Sequence, residues 1–376
     1  MQQRGRQVHP KLVRFTGVTD NIRQVSIAAF LLVAAFASGC NIVKKESKTP
    51  TLLKTENASL DQLLSEVNRF ARVNSMRAKM DLKFEDDSFA QFGSKEVYRS
   101  ADGEVVVQRP GKILLKVQVP IIKTDVAQMT SDGQMFRVAI LNDGGSGNYK
   151  AFVKGTNAAD YSQLQKNLNV TDLPAEKITK ASVNSFANLR PQHFTDAMLV
   201  QPIDPSRSYL QSTIFQIEED ETQKSKSPLR KVMRGYYLLD EIERQAEGGL
   251  RVLRRFWFDR VGGIRLARQQ LFDGKGEIES DIIYGREGNL TATSDYNNLP
   301  LMIRVTRPKE RYTMSLTYQT PETVTIGRTY PETAFILQNT WGLKEIDLDQ
   351  KLQELTAAAS SPTGKENSNQ ATRPPQ

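Results

Sequence analysis

The chain has 376 residues, with 51 Lys and Arg against 43 Asp and Glu, a formal charge of +8, one cysteine and two histidines. One cysteine excludes an intramolecular disulfide and any cysteine-cluster metal site, and two histidines exclude a multi-histidine metal centre. Five basic residues and one acid lie within residues 1–39, so the rest of the chain carries only +4, an excess too small to argue for nucleic acid yet compatible with anionic lipid headgroups.

Arg4, Arg6, Lys11, Arg14 and Arg23 form a basic lead, and an apolar run over residues 25–37, broken only by Ser26, follows. The run spans 13 residues, whereas a membrane-crossing helix needs about 20; it reads as the core of an export signal. Its end, Ala37-Ser38-Gly39-Cys40, resembles the bacterial lipobox, with Ala37 where the common form has leucine. The resemblance implies a signal peptide over residues 1–39 and a lipidated Cys40, bearing acyl chains such as palmitate, that anchors the mature protein to a membrane. Each buried CH₂ of such chains contributes about 0.8 kcal/mol, and stable anchoring needs about two chains or signals. Asn41 is not the aspartate that some bacteria use to hold lipoproteins at the inner membrane, which points to the outer membrane, facing the periplasm. Residues 40–55 are polar and read as a tether, and residues 349–376 as a disordered tail whose Ala, Ser, Pro, Asn and Gln cannot offset chain entropy.

The folded part, residues 56–348, is expected to open with a helix. Ser59 and Gln62 fit a capping box, and Leu60, Leu63, Leu64, Val67, Phe70 and Ala71 share one face at helical spacing. The period then changes to two, with Met76, Ala78, Met80, Leu82 and Phe84 alternating with charged residues, the pattern of a strand with one dry face. Turn signals divide the strands that follow. Ser100-Ala101-Asp102-Gly103 predicts a turn between a strand ending near Tyr98 and one over 105–108; Arg109-Pro110-Gly111 precedes a strand over 113–119; Asp132-Gly133 and Asp143-Gly144-Gly145 bracket one over 135–141. Helices are expected over 158–168 and 190–199, the second packing Phe194, Met198 and Leu199 against the sheet, and the charged stretch 219–231 reads as an exposed hairpin tip. Further strands are predicted over 235–243, 250–259, 264–272, 277–284, 301–306 and 312–318, with Asp273-Gly274-Lys275-Gly276 the strongest hairpin turn. The result is a mainly β, α+β chain of meandering antiparallel strands.

Catalytic motifs are missing. His9 lies in the signal, which leaves His193 without a Gly-x-Ser-x-Gly elbow to supply a nucleophile. The run Asp143-Gly144-Gly145-Ser146-Gly147 lacks the Gly-Lys-Ser/Thr ending of a phosphate loop and reads as a hairpin loop, and Asp86-Asp87 reads as strand-end turn chemistry. No catalytic residue, metal site or cofactor is assigned, and the chain is read as a non-enzyme. A hydrolase acting on envelope polymers would require converging acids in a cleft.

Several segments together resemble the LolA/LolB family of periplasmic lipoprotein carriers and their outer-membrane receptor. Val107-Gln108-Arg109-Pro110-Gly111-Lys112-Ile113, followed by Thr130-Ser131-Asp132-Gly133-Gln134-Met135-Phe136, is similar to that family's paired strand-and-turn signature. Phe272-Asp273-Gly274-Lys275-Gly276-Glu277 resembles its late hairpin, and Ala334-Phe335-Ile336-Leu337 to Trp341-Gly342-Leu343 its closing strand. The resemblance implies an unclosed antiparallel β-barrel with helices lidding an apolar cavity, and cargo in the form of acyl chains of lipoproteins. Lipidation at Cys40 sets the chain closer to the receptor than to the soluble carrier, and residues 156–232 exceed what the resemblance accounts for.

The expected function is therefore a lipid-anchored envelope protein that binds acyl chains of lipoproteins or other lipids and assists their sorting or reception. Dry-face candidates for lining the cavity are Met80, Leu82, Phe84, Ile113, Leu115, Val117, Met314 and Leu316. The alternative is an envelope scaffold or sensor whose barrel is filled by its own side chains and takes no ligand. Phe89 and Phe92 follow the first strand in a loop, where aromatic side chains either dip into a bilayer or fold onto the barrel end.

Overall fold

Ser59 starts the first helix as its sequence requires. In α1 (Leu60–Ala71) the Gln62 amide donates to Ser59 Oγ at 3.3 Å and the Ser59 amide to Gln62 Oε1 at 2.8 Å. Two amide groups at the helix start are thus satisfied locally. Leu63, Val67, Phe70 and Ala71 are its buried residues. The structure is a computed structural model, and it describes residues 49–86, 96–119, 124–142, 150–161, 163–164, 190–293 and 295–360.

The strands are β1 (Thr51–Leu52), β2 (Ser75–Asp86), β3 (Glu96–Gln108), β4 (Lys112–Gln118), β5 (Asp125–Asp132), β6 (Met135–Ile140), β7 (Ala151–Thr156) and β8 (Ser208–Glu219). They continue as β9 (Lys231–Arg244), β10 (Leu250–Asp259), β11 (Arg265–Phe272), β12 (Ile278–Gly288), β13 (Leu299–Arg307), β14 (Tyr312–Tyr318), β15 (Thr325–Ile326) and β16 (Glu345–Asp347). Two antiparallel meanders, β2 to β7 and β8 to β14, join where β14 pairs with β2. β1 runs parallel to β9 beyond the end of β10, and β16 runs parallel to β7. Among the described residues no pairing links β8 to β7 or β16, so the sheet is an unclosed barrel with β8 and β16 at its edges.

Residues opposite one another across a sheet share a face, and the register shows what each face carries. One row runs Ala78, Val105, Leu115, Met129, Val138, Val153, Ile346, all buried. Another runs Leu239, Phe256, Gln269, Ile282, Val305, Met314, Phe84. These rows form the concave face, where each large side chain fully removed from water contributes about 1.5–3 kcal/mol. The opposite face carries cross-strand ion pairs such as Arg255 with Asp240 and Arg268 with Asp281, each at 2.6 Å.

Three segments differ from the sequence expectation. Asp102-Gly103 does not turn the chain but lies inside the continuous strand β3, opposite Asp81 and Met80. Glycine is needed there for close packing, because a Cβ at 103 would stand 2.7 Å from Leu82 Cδ1. At the start, Thr51 and Leu52 pair with β9, so strand pairing begins inside the expected tether. At the end, residues expected within the tail form helix α3 (Leu348–Ser360): Asp347 Oδ1 accepts the Gln350 amide at 3.1 Å, Leu348 is buried, and Asp349 Oδ2 accepts from Thr156 Oγ1 at 2.8 Å. The predicted hairpin tip at 219–231 does link β8 to β9. Residues 162 and 165–168, together with 143–149, Phe89, Phe92 and Cys40, lie outside the described residues.

Candidate functional site

The second helix, α2 (Pro191–Met198), forms where the sequence predicts one, and Pro191 occupies its first turn, where no intrahelical amide is lost. It packs on the concave side against β3, β4, β5 and β13. Phe194, Ala197 and Met198, with Leu199 and Val200 beyond it, are buried in the common core. The helix therefore lids the sheet and occupies much of the space that a barrel of this kind encloses.

Guanidinium groups hold both ends of this lid. Arg190 donates to Asn157 O at 2.7 Å just before the helix. Beyond it, Arg109 donates to Val200 O at 2.6 Å and to Gln201 Oε1 at 3.0 Å, and Arg254 to Gln201 O at 3.0 Å and Pro202 O at 3.2 Å. Arg254 is also paired with the buried Glu241. Burial, reinforced by the neighbouring Arg254 charge, lowers the Arg109 pKa from its ordinary value. Arg109, read from sequence as turn chemistry, thus reaches across to fix the exit of α2. Arg190, Arg254, His193 and Asp196 join it only through contacts between residues distant in the chain, which sequence spacing does not reveal.

Helix α2 has two unlike sides. One closes an apolar seam of about 20 Å³ against α1 and β13, lined by Phe70, Val73, Met76, Ala197, Met198 and Ile303 among others. The other borders a polar recess of about 260 Å³, formed with the two turn motifs through Pro110, Gly111, Asp132, Gly133 and Gln134, and with Asn157, Gln192, Thr195 and Asp196. Burial pushes the Asp196 carboxyl up to about 7, against the opposing pull of Arg307. His193 is hydrogen-bonded through Nδ1 to Tyr312 Oη; burial, with Arg307 and Arg190 nearby, holds it well below its ordinary value and so neutral. That pair joins α2 to β14. Among the described residues no group of three or more His, Cys, Asp or Glu is disposed to hold a metal ion, and no helix is long and apolar enough to cross a membrane.

The eight dry-face candidates share the concave face. Met80, Ile113, Leu115, Met314 and Leu316 are buried in the core, with Leu82, Phe84 and Val117 half-buried against it. Leu82 stands opposite Leu316, Phe84 opposite Met314, and Val117 opposite Gly103. None of the eight borders the seam or the recess. Of these, Ile113, Leu115 and Val117 lie on β4, one of the strands that α2 packs against.

No family model matches the chain, and no curated protein matches it in sequence. Solved structures are similar to it at 10% sequence identity. One is a LolA superfamily protein from Nitrosomonas europaea, with a TM-score of 0.37 over 75% of this chain and 99% of that one. Another is a DUF1329 family protein from Desulfovibrio piger, with a TM-score of 0.38 over 73% and 95% of the two chains. A third, described as an outer membrane lipoprotein-sorting protein domain from Vibrio parahaemolyticus, has a TM-score of 0.33 over 73% and 94%.

Proposed function

We propose that this is a cell-envelope protein, tethered by lipid on Cys40 and facing the periplasm from the outer membrane, that takes acyl chains of lipoproteins or other lipids onto the concave face beneath α2. The observation that supports the reading is the mismatch between that face and its cover. The rows are almost wholly apolar, yet α2 is only eight residues long, buries His193 against them, and turns Gln192, Thr195 and Asp196 toward the polar recess. A permanent filler gains nothing from burying ionisable groups, which cost free energy wherever they are not fully paired. A helix held at its two ends by guanidinium-to-carbonyl bonds can withdraw without disturbing the sheet ladder. The seam between α1 and α2 is where an acyl chain would start to enter, and Met80, Leu82, Phe84, Ile113, Leu115, Val117, Met314 and Leu316 would line the space as the lid lifts.

Binding then exchanges the burial of α2 for burial of an acyl chain, both at about 25 cal/mol per Å². The net difference is small, so cargo can pass in either direction with a modest affinity gap. The deep burial of Phe194, Ala197 and Leu199 favours a second reading, in which α2 never leaves and the protein is an envelope scaffold or sensor.

Native mass spectrometry with lipid extraction, combined with hydrogen exchange of the amides at 194–200, separates the two. About one acyl lipid per chain, displaced by a fatty-acid competitor and accompanied by faster exchange in α2, is the expected result. A protein that stays empty when lipid is added, with those amides still protected, defeats acyl binding and leaves the filled interior.

A further inference from the structure

At the corner where β1, β8 and β9 meet, the concave side of the sheet leaves the core and turns apolar side chains to solvent. Leu52 is 63%, Phe215 48% and Ile217 55% exposed. The register sets Leu52, Met233 and Ile217 in one row across the three strands and puts Phe215 opposite Gly235. Opposed residues share a face, and so do residues two apart along a strand, so all these side chains belong to one surface. The Phe215 ring lies over Gly235: a Cβ there would stand 2.9 Å from Phe215 Cε1 and 2.8 Å from Thr55 Cγ2. The surface is therefore built on paired strands, with the ring packed in place. Roughly half of three large side chains is exposed, on the order of 300 Å², the scale of patches that mark interaction sites.

The course of the chain selects the occupant. Leu52 lies on this surface only twelve residues after Cys40, so along the chain the two are at most about 40 Å apart. Lys231 on β9, Lys54 two residues past β1, and Lys224 and Lys226 at the adjoining hairpin tip are exposed. The tip also carries acids: Glu219 is paired with Arg230 at 2.8 Å, Asp220 accepts the Thr222 amide at 3.0 Å, and Glu221 is exposed. Apolar side chains rimmed by lysines, close along the chain to a lipid attachment, fit the boundary between acyl chains and anionic headgroups.

We propose that this corner is the surface the protein sets against a lipid bilayer, through Leu52, Phe215 and Ile217. It rests on the lipid attachment at Cys40 for its placement, and not on acyl binding beneath α2. Seated in this way, the β8 edge of the concave face adjoins the membrane.

Two measurements test it. The unacylated chain 41–376, in which Pro50–Gln376 forms a compact unit of its own, should sediment with vesicles of phosphatidylethanolamine and phosphatidylglycerol at low salt. Replacing Leu52, Phe215 and Ile217 together with serine should weaken that binding about tenfold or more without moving the urea midpoint. Leu250→Ser, on β10 opposite Arg244 at the far end of β9 and 68% exposed, should leave it unchanged. In the acylated protein the single native cysteine is consumed by lipid, so a polarity-sensitive thiol label on Ile217→Cys reports that site alone and should shift to the blue on vesicles. Unchanged partitioning of the triple variant, or a label that stays in water while the acylated protein is vesicle-bound, overturns the proposal. So does a label that becomes buried with rising protein concentration and no vesicles, which would assign the surface to a second copy of the chain. Failure of acyl binding in the mass spectrometry leaves these readouts untouched, so the two proposals fail separately.

Discussion

Changing Asp196 to asparagine removes one ionisation from α2 while keeping the shape and volume of the side chain. The folded protein holds the Asp196 proton up to about 7, and the unfolded chain only to the ordinary 3.8. Between those values the unfolded state binds fewer protons, so stability falls as pH rises from about 4 to about 7 and stays low above. The contribution is fully present below the unfolded value and is lost through the folded one. A gap of about three units at about 1.4 kcal/mol each sets a ceiling near 4 kcal/mol. Asp196 is half-buried and borders the open recess, so solvent screening reduces this to on the order of 2–4 kcal/mol. The Asp196→Asn protein should therefore match the parent in urea unfolding near pH 4 and exceed it by that amount at pH 8, with equal denaturant slopes. Taking the difference between the two proteins at each pH cancels the other titrating groups, including Glu279 near the same site. A difference that does not vary with pH would refute the argument, because it would mean that the carboxyl ionises equally easily in both states.

Other changes probe the lid and the sheet. Arg254→Ala strips the buried Glu241 of its partner and frees the Gln201 and Pro202 carbonyls; it should cost about 3–5 kcal/mol, and replacing Arg254 and Glu241 together by Met and Leu should recover most of that, by thermal or urea unfolding. Gln269 sits in an otherwise apolar row with its Oε1 buried and unpartnered, so Gln269→Met should raise stability by about 1–2 kcal/mol in the same assay. Gly103→Ala should lose about 1–3 kcal/mol through collision with Leu82, and Leu82→Val in the same chain should restore part of it. Ser59→Ala should cost about 1 kcal/mol through loss of the cap on α1, read as a lower urea midpoint.

Legibility in the sequence followed the range of the interactions. The Ser59 capping box, the alternation from Met76 to Phe84, the turn at Arg109-Pro110-Gly111 and the hairpin at Asp273-Gly274-Lys275-Gly276 all depend on neighbours within a few residues, and each appears where expected. Hydrophobic period also placed Met80, Leu82, Ile113, Leu115, Met314 and Leu316 together on one face, because a strand presents alternate residues to one side whatever it pairs with. Asp102-Gly103 failed for the complementary reason. A glycine can serve a turn or a close approach, and only the Leu82 side chain on the next strand shows that it serves the second here.

Everything that makes the concave face a candidate site is long-range. Arg109 reaches carbonyls some ninety residues onward, and Arg254 others some fifty residues back. The burial that raises the Asp196 carboxyl exists only once α2 lies on the sheet. Local chemistry thus writes the strands, the turns and which side of each strand is dry, since propensity and periodicity act along the chain. Which elements meet across that dry side depends on the curvature of the assembled sheet and on what fills it, and those are properties of the packed molecule alone.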